Sequence, residues 1–298
     1  VGSVLIPELI DNGFHVKCLD RFFFGIEYLS NPKFQNNLEL IKDDIRFFDE
    51  KILDGVDVVL DLAAISNDPA GELDPEKTFE INHQGRHRVA KLSKKMGVKR
   101  YILASSASIY GQQEKIADEN STVNPLTAYS KANRKAEIDN LSLNDDKFTT
   151  TALRFSSIYG DSPRMRFFTA VNAMVLDLYK KGKITVSGKD NKRPFVFIKD
   201  AVRAYLAVIA APKQKISGEI FNIGSNEQNV TMIDLANQTI DSIGQSCEIV
   251  VEGTNDHRSY FASFDKIKNT LNFTTNYSIG DGAKEMYQGL KNKRSEEH

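Results

Sequence analysis

A serine closing a β-rich run and a tyrosine opening the next helix are the residues of this chain best suited to chemistry. Ser106 lies in "SSASIYG" and Tyr129 in "NPLTAYSKANRKAEID". If the two hydroxyls converge on one carbon, the serine can orient an alcohol oxygen while a tyrosinate removes its proton as hydride leaves for a nicotinamide. A free tyrosine has a pKa of about 10, so such a site must lower it. A cation one helical turn away does this, because positions i and i+4 share a face. Here that position holds Asn133, which can donate a hydrogen bond but carries no charge. Lys131 and Lys135 are offset by two and six residues and do not share the tyrosine face in the same way. On spacing alone, a capping serine and a half-buried helix tyrosine are the simpler reading.

These residues are positioned by an alternation of strands and helices. The chain opens on a helical pattern and reaches a strand at "FHVKCLD" after Asn12-Gly13. Further β-rich runs follow at "LELIKDD", "VDVVLDLAA", "KRYILASS" and "FTTTALRFSSIYG", the second nearly continuous in Val and Leu, as a strand covered on both faces should be. Between them, residues 74–97 predict a helix with Asp74 as N-cap, Pro75 in the first turn and Gly97 as C-cap. The alternation implies α/β architecture with a doubly wound parallel sheet. An α/β chain of this type has a strand and a glycine-rich turn before its first helix, so the sequence is expected to lack its natural beginning. After about Gly160 the alternation loosens, and a smaller interleaved C-terminal lobe is expected. The division predicted is 1–165 for the first domain, with 195–224 returning to it, and 166–194 with 225–298 for the second lobe.

Ligands of such sheets bind at the carboxyl ends of the strands. Gly2 can end a phosphate-binding turn at a helix N-terminus. Asp20 closes a strand where a carboxylate holds ribose hydroxyls and repels a 2'-phosphate, which favours NAD over NADP, while Arg21 keeps that choice open. Asp43, Asp44 and Ile45 suit an adenine edge and face, and Leu62, Ala63 and Ala64 let a flat cofactor approach the backbone.

Bulk composition gives no support to nucleic-acid or membrane partners. In 298 residues, 39 Lys and Arg nearly balance 40 Asp and Glu, so any anionic ligand needs a local basic site. Cys18 and Cys247 are far apart and outside any CxxC pattern, and the histidines show no metal-ligand spacing, so no disulfide framework and no metal are predicted. No apolar run approaches the roughly 20 residues of a membrane span, and no signal-peptide pattern opens the chain. A soluble, cytoplasmic protein is expected.

Taken together, the motifs resemble those of the extended short-chain dehydrogenases/reductases, in particular the NAD-dependent nucleotide-sugar epimerases and dehydratases. The resemblance spans almost the whole chain: Gly2, Asp20, "DDI" at 43–45, "LAA" at 62–64, Asn82, "SSASIYG", "PLTAYSKANRKAE", "LRFSSIYG", "RPFVFIKD" and "FNIG". It implies a Rossmann-type lobe holding NAD and a C-terminal lobe clasping a nucleoside diphosphate sugar. It also implies Ser106 and Tyr129 as catalytic residues, Asn133 at the nicotinamide ribose, and Arg193 and Arg258 facing the diphosphate. Guanidinium forks match phosphate oxygens better than an ammonium does. Arg164, Arg166 and Asn172 are placed by the resemblance in a substrate loop, with Ser108 also on the substrate side. A homodimer through helices at 74–96 and 124–141 is implied as well.

Two departures stand out. YxxxK has become YxxxN at Asn133, although a nicotinamide's positive charge can still help ionise Tyr129. Ala107 and Ser108 stand where 4,6-dehydratases carry an acidic pair, which argues against dehydration. The reading is an NAD-dependent epimerase or dehydrogenase oxidising a sugar hydroxyl, C4 for preference. The alternative is a catalytically impaired NAD-binding regulator or assembly protein.

Overall fold

The computed structural model describes residues 1–292, so residues 293–298 of the expected second lobe lie outside the described residues. Helix α1 (Gly2–Asp11) leads into strand β1 (Val16–Asp20), and β2 (Leu38–Lys42) pairs parallel to β1. Strand β3 (Val58–Asp61) is followed by short helices α2 (Asp68–Leu73) and α3 (Pro75–Phe79), then α4 (Arg86–Lys95) and β4 (Arg100–Ser106). Helix α5 (Ala128–Leu141) precedes β5 (Thr149–Phe155) and β6 (Ser157–Tyr159). Then come α6 (Ala170–Lys181), β7 (Lys183–Ser187), β8 (Lys192–Phe197), α7 (Ile198–Ala210), α8 (Lys213–Ile216) and β9 (Ile220–Ile223). The chain closes with β10 (Asn229–Thr231), α9 (Met232–Ile243), β11 (Glu248–Glu252), α10 (Asp265–Leu271) and α11 (Ile279–Lys291).

The parallel sheet expected from the alternation is present, in two ladders. One runs β3-β4-β5-β9, with Asp61 opposite Leu103 and Ser106 opposite Phe155; the other is β1-β2. Packing joins them. Leu5 and Leu9 of α1 lie with Ile102, Leu153 and the α7 residues Tyr205 and Val208, while Ile6 and Ile10 cover Val16 and Leu38. On the opposite face Leu19 and Val59 share a core with Val89, Tyr101 and Phe148. A separate core holds α6, α9 and α11 around Phe195 and Phe197, beside the small sheets β10-β8-β6 and β11-β7. Apolar residues of β-rich runs thus fill both faces, at about 25 cal/mol per Å² of apolar surface removed from water.

The helix expected over 74–97 forms, with Asp74 accepting from Lys77 N, but it is not uniform. Glu80–Gly85 is a π-helical turn between α3 and α4. A Cβ on Gly85 would lie 3.1 Å from Ile45 Cδ1 and 3.2 Å from Arg46 Cγ, so this turn lies tightly against the loop after β2. π-turns are common at functional sites because they re-aim the side chains around them.

Candidate active site

Tyr129 stands in the first turn of α5, which begins at a capping box. Thr127 Oγ1 accepts from Ser130 N at 3.1 Å, and Ser130 Oγ accepts from Thr127 N at 3.0 Å. Helix α2 clamps the same end, with Thr127 Oγ1 donating to Asp68 Oδ1 and Ala128 N donating to Glu72 Oε1, both at 2.5 Å. A Cβ on Gly71 would meet Tyr129 Cβ at 3.1 Å, so α2 and α5 approach closely here. Ser106, the last residue of β4, donates through Oγ to Ser108 Oγ at 2.9 Å and accepts from Ser108 N at 3.2 Å. Burial pushes the Tyr129 phenol up from its ordinary value and the charge of Asp68 adds to this; Ser106, the charge of Arg86, and Asn133 pull it back. The phenol is therefore held protonated in the chain by itself.

A buried arginine that the motifs did not single out is tied to the Tyr129 helix. Arg86 is 0 % exposed; its Nη2 donates to the carbonyls of Asp61 and Ala104 at 2.9 and 2.5 Å. Its Nη1 donates to Asn133 Oδ1 at 2.9 Å, and Asn133 Nδ2 donates to the Tyr129 carbonyl at 3.1 Å. The Asn133 amide therefore has partners within the chain at both ends, whereas the sequence reading turned it toward a ribose. Asp61 Oδ1 is 3.4 Å from Arg86 Nε, and neither atom makes a hydrogen bond.

At the other strand ends, Asp20 is exposed and accepts from Phe22 N at 2.7 Å. The Asp44 carboxylate is forked by Arg46 at 3.0 and 2.7 Å and bonded by Arg21 at 2.7 Å, and Asp43 accepts from Asp44 N. Those bonds with Arg46, outweighing burial, hold Asp44 far below the carboxylate range. Ile45 is 8 % exposed and packs with Phe48 and Val89. Both side chains are thus held in place by partners of the chain. Leu62, Ala63 and Ala64 follow β3, and Asn82 from the π-turn pins the loop behind them through paired 2.8 Å bonds to Ile65 N and O. Helix α1 starts at Gly2 without a side-chain cap. Near it stand Arg166 and Arg164. Uncapped amides and two guanidiniums form a donor set that suits a pyrophosphate, and the exposed Asp20 suits a ribose.

Arg193 of β8 and Arg258 come together at a second cluster. Arg193 Nη2 donates to Asp256 Oδ2 at 3.1 Å, and Arg258 forks the same carboxylate at 2.8 and 2.6 Å. Arg258 also bonds Asp68, which ties this cluster to the start of α5. Burial alone would raise Asp256, but the bonds and charge of Arg258 and the charge of Arg193 hold it at about 2. Arg166 reaches Ser66 Oγ, and Arg164 lies over the Phe24 ring. Asn172 is 4 % exposed and accepts from Gly160 N at 3.1 Å while donating to Arg166 O at 2.9 Å, so it braces the arginine loop.

The profile of the NAD-dependent epimerase/dehydratase family matches residues 1–224. The chain belongs to that family. Among its relatives, UDP-glucuronic acid decarboxylase 1 of Arabidopsis thaliana is 27% identical over 98% of this chain and 68% of its own length. A putative UDP-glucose 4-epimerase of Methanocaldococcus jannaschii is 26% identical over 98% of this chain and 95% of its own. The solved UDP-glucuronic acid 4-epimerase of Bacillus cereus, in complex with UDP-glucuronic acid and NAD, superposes with a TM-score of 0.87 at 23% identity, covering 98% of this chain and 96% of that one.

Against this family background, the sequence brought forward Ser106, Tyr129, Arg193 and Arg258 but missed Arg86, Asp61, Asp68 and Asp256. One signal was available for Arg86: it stands one turn after Asn82 on the same helical run. Among the described residues no group of acidic, histidine or cysteine side chains could hold a metal ion, and no helix is long and apolar enough to cross a membrane.

Proposed function

We propose that this family member oxidises a ring hydroxyl of a nucleoside diphosphate sugar, at C4, and acts as an epimerase or a dehydrogenase. The observation that carries the reading is that Asp68 joins the two halves of the site: it bonds the cap of the Tyr129 helix and also Arg258, one of a pair of clustered guanidiniums. A base for a hydroxyl and a cradle for a diphosphate thus sit side by side.

In this reading Arg193 and Arg258 fork onto the diphosphate, exchanging part of their hold on Asp256 and Asp68. Ser106 orients the sugar hydroxyl and Tyr129 removes its proton. Gly2, Asp20 and the backbone of 62–64 hold NAD, with Arg164 and Arg166 beside its pyrophosphate. When bound, NAD supplies a hydride acceptor for the sugar carbon. Ala107 and Ser108 offer no acid and base for eliminating water.

The test incubates the full-length protein with NAD and either UDP-glucose or UDP-glucuronic acid, following products by mass spectrometry and proton NMR. An altered sugar of unchanged mass assigns an epimerase, and loss of a hydrogen pair with NADH accumulating assigns a dehydrogenase. Loss of carbon dioxide from the glucuronate assigns decarboxylation, since a C4 ketone makes its carboxylate a β-keto acid. Loss of water contradicts the argument from Ala107 and Ser108. Bound NAD with no product from any nucleotide sugar sinks the reading in favour of a non-catalytic binding protein.

A further inference from the structure

We propose that Arg86, reaching in from α4, supplies the fixed positive charge that residue 133 lacks, and that Asn133 is the connector holding this guanidinium against the Tyr129 helix. Arg86 is in this account a positioning residue: it acts on the substrate through Tyr129. The inference rests on the reading of Tyr129 as a base.

Three observations carry it. The first is place. Arg86 Nη1 bonds Asn133 Oδ1 at 2.9 Å, and Asn133 in turn bonds the main chain of Tyr129 at 3.1 Å, so one hydrogen-bonded path runs from the cation to the turn bearing the phenol. The second is immobility. Arg86 has no exposure and three oxygen acceptors, so its charge cannot swing away to solvent. The third is incomplete compensation. The nearest carboxylate, Asp61, approaches Nε only to 3.4 Å without a hydrogen bond, and burial raises the Asp61 carboxyl toward its neutral form. A guanidinium buried this way costs several kcal/mol of desolvation. Neutral donors could brace two carbonyls at less cost. A charge kept at such cost beside a titratable hydroxyl points to a use for the charge itself.

Of the other groups facing Tyr129, most do not supply this field, and Arg166 is the rival. From α2 come Asp68, which pushes the phenol up, and Glu72, which caps Ala128 N. From the segment after β11 come Arg258, neutralised by Asp68 and Asp256, and the buried Tyr260. Tyr205 of α7 is buried. Arg166, from the loop before α6, is the second cation in range.

The experiment titrates Tyr129 in the full chain labelled with ζ-carbon-13 tyrosine, with and without NAD, the signal being assigned by its loss in Tyr129→Phe. Arg86→Met is expected to raise the midpoint. It is also expected to shift the pH profile of turnover to the alkaline side, with about tenfold loss of rate at neutral pH, the effect of one pKa unit. Arg86→Met/Asn133→Lys moves the cation from α4 to α5 and should bring both readouts back toward wild type. Where the single variant does not fold, the double variant decides alone: folded, with its midpoint and profile near wild type, it supports the proposal. Folded with a raised midpoint, it overturns it. An unchanged midpoint in folded Arg86→Met shows a purely structural arginine, and a larger shift in Arg166→Met assigns the charge to the loop; either result overturns the proposal. If the midpoint follows Arg86 while no nucleotide sugar reacts, the electrostatic inference stands and the enzymatic reading falls.

Discussion

Two arginine centres connect to the Tyr129 helix, and they are built on opposite rules. On one side Arg86 is sealed in, bonded to main-chain carbonyls and an amide, and only loosely opposed by Asp61. On the other side Arg193 and Arg258 share Asp256, and Arg258 also holds Asp68. The first arrangement fixes a charge in place. The second pairs charge with carboxylates, which under the proposed function an incoming diphosphate would replace. In the proposed function, fixed and exchangeable positive charge are thus divided between two centres, which would let a chain of net charge -1 meet an anion without a basic surface.

Several substitutions break or sharpen that contrast. The largest effect is expected at a third arginine, Arg154, which is buried like Arg86 but fully forked onto Glu137 at 2.9 Å through both oxygens. Glu137→Gln strands that guanidinium and should cost about 3–5 kcal/mol of folding stability by urea denaturation. A cost under about 1 kcal/mol would show that forked buried pairs here are no firmer than surface ones. At the second centre, Arg258→Ala should raise KM for the nucleotide sugar by roughly 10- to 100-fold, as expected for losing a charge-assisted bond of about 1.5–3 kcal/mol. Its kcat should change far less, and steady-state kinetics separates the two; a pure kcat defect would move Arg258 from binding to chemistry.

The smallest effect concerns acid. Asp256, depressed to about 2 by the Arg258 bonds and the two guanidinium charges against the opposing effect of burial, binds fewer protons folded than unfolded. Its contribution is therefore complete above the unfolded value of about 4 and is lost as pH falls through about 2. Thermal melts of wild type and Asp256→Asn should differ most above that window and converge below it. Curves that stay parallel to the lowest pH would remove Asp256 from the clamp.

The fold was legible because it is written in apolar runs and caps. β-rich segments, Asp74 before Pro75 and Gly97 with φ +80 each leave a local mark, and the structure answers to all three. Strand ends and helix starts, where such sheets place ligands, drew attention to Ser106 and Tyr129, and their proposed roles came from the family resemblance. The buried charge was not legible, for two physical reasons. The inward face of α5 carries Asn133, Glu137 and Asn140, so a polar stripe points into the protein and apolar periodicity is silent there. The partners of that stripe, Arg86, Arg154 and Tyr101, come from other elements, and sequence spacing does not encode contacts across 17 to 47 positions. The π-turn that precedes Arg86 has no composition of its own beyond Gly85.

The account's central claim is that Tyr129 removes a proton from a sugar hydroxyl as the same carbon gives up its hydrogen. The most direct measurement uses a UDP-sugar deuterated at C4 with NAD and follows deuterium on the cofactor by rapid quench and mass spectrometry, in wild type and in Tyr129→Phe. Transfer in wild type, slowed roughly 100- to 10,000-fold in the variant with NAD affinity unchanged, is the predicted result. Transfer at the wild-type rate in Tyr129→Phe, or none in either protein, would contradict it.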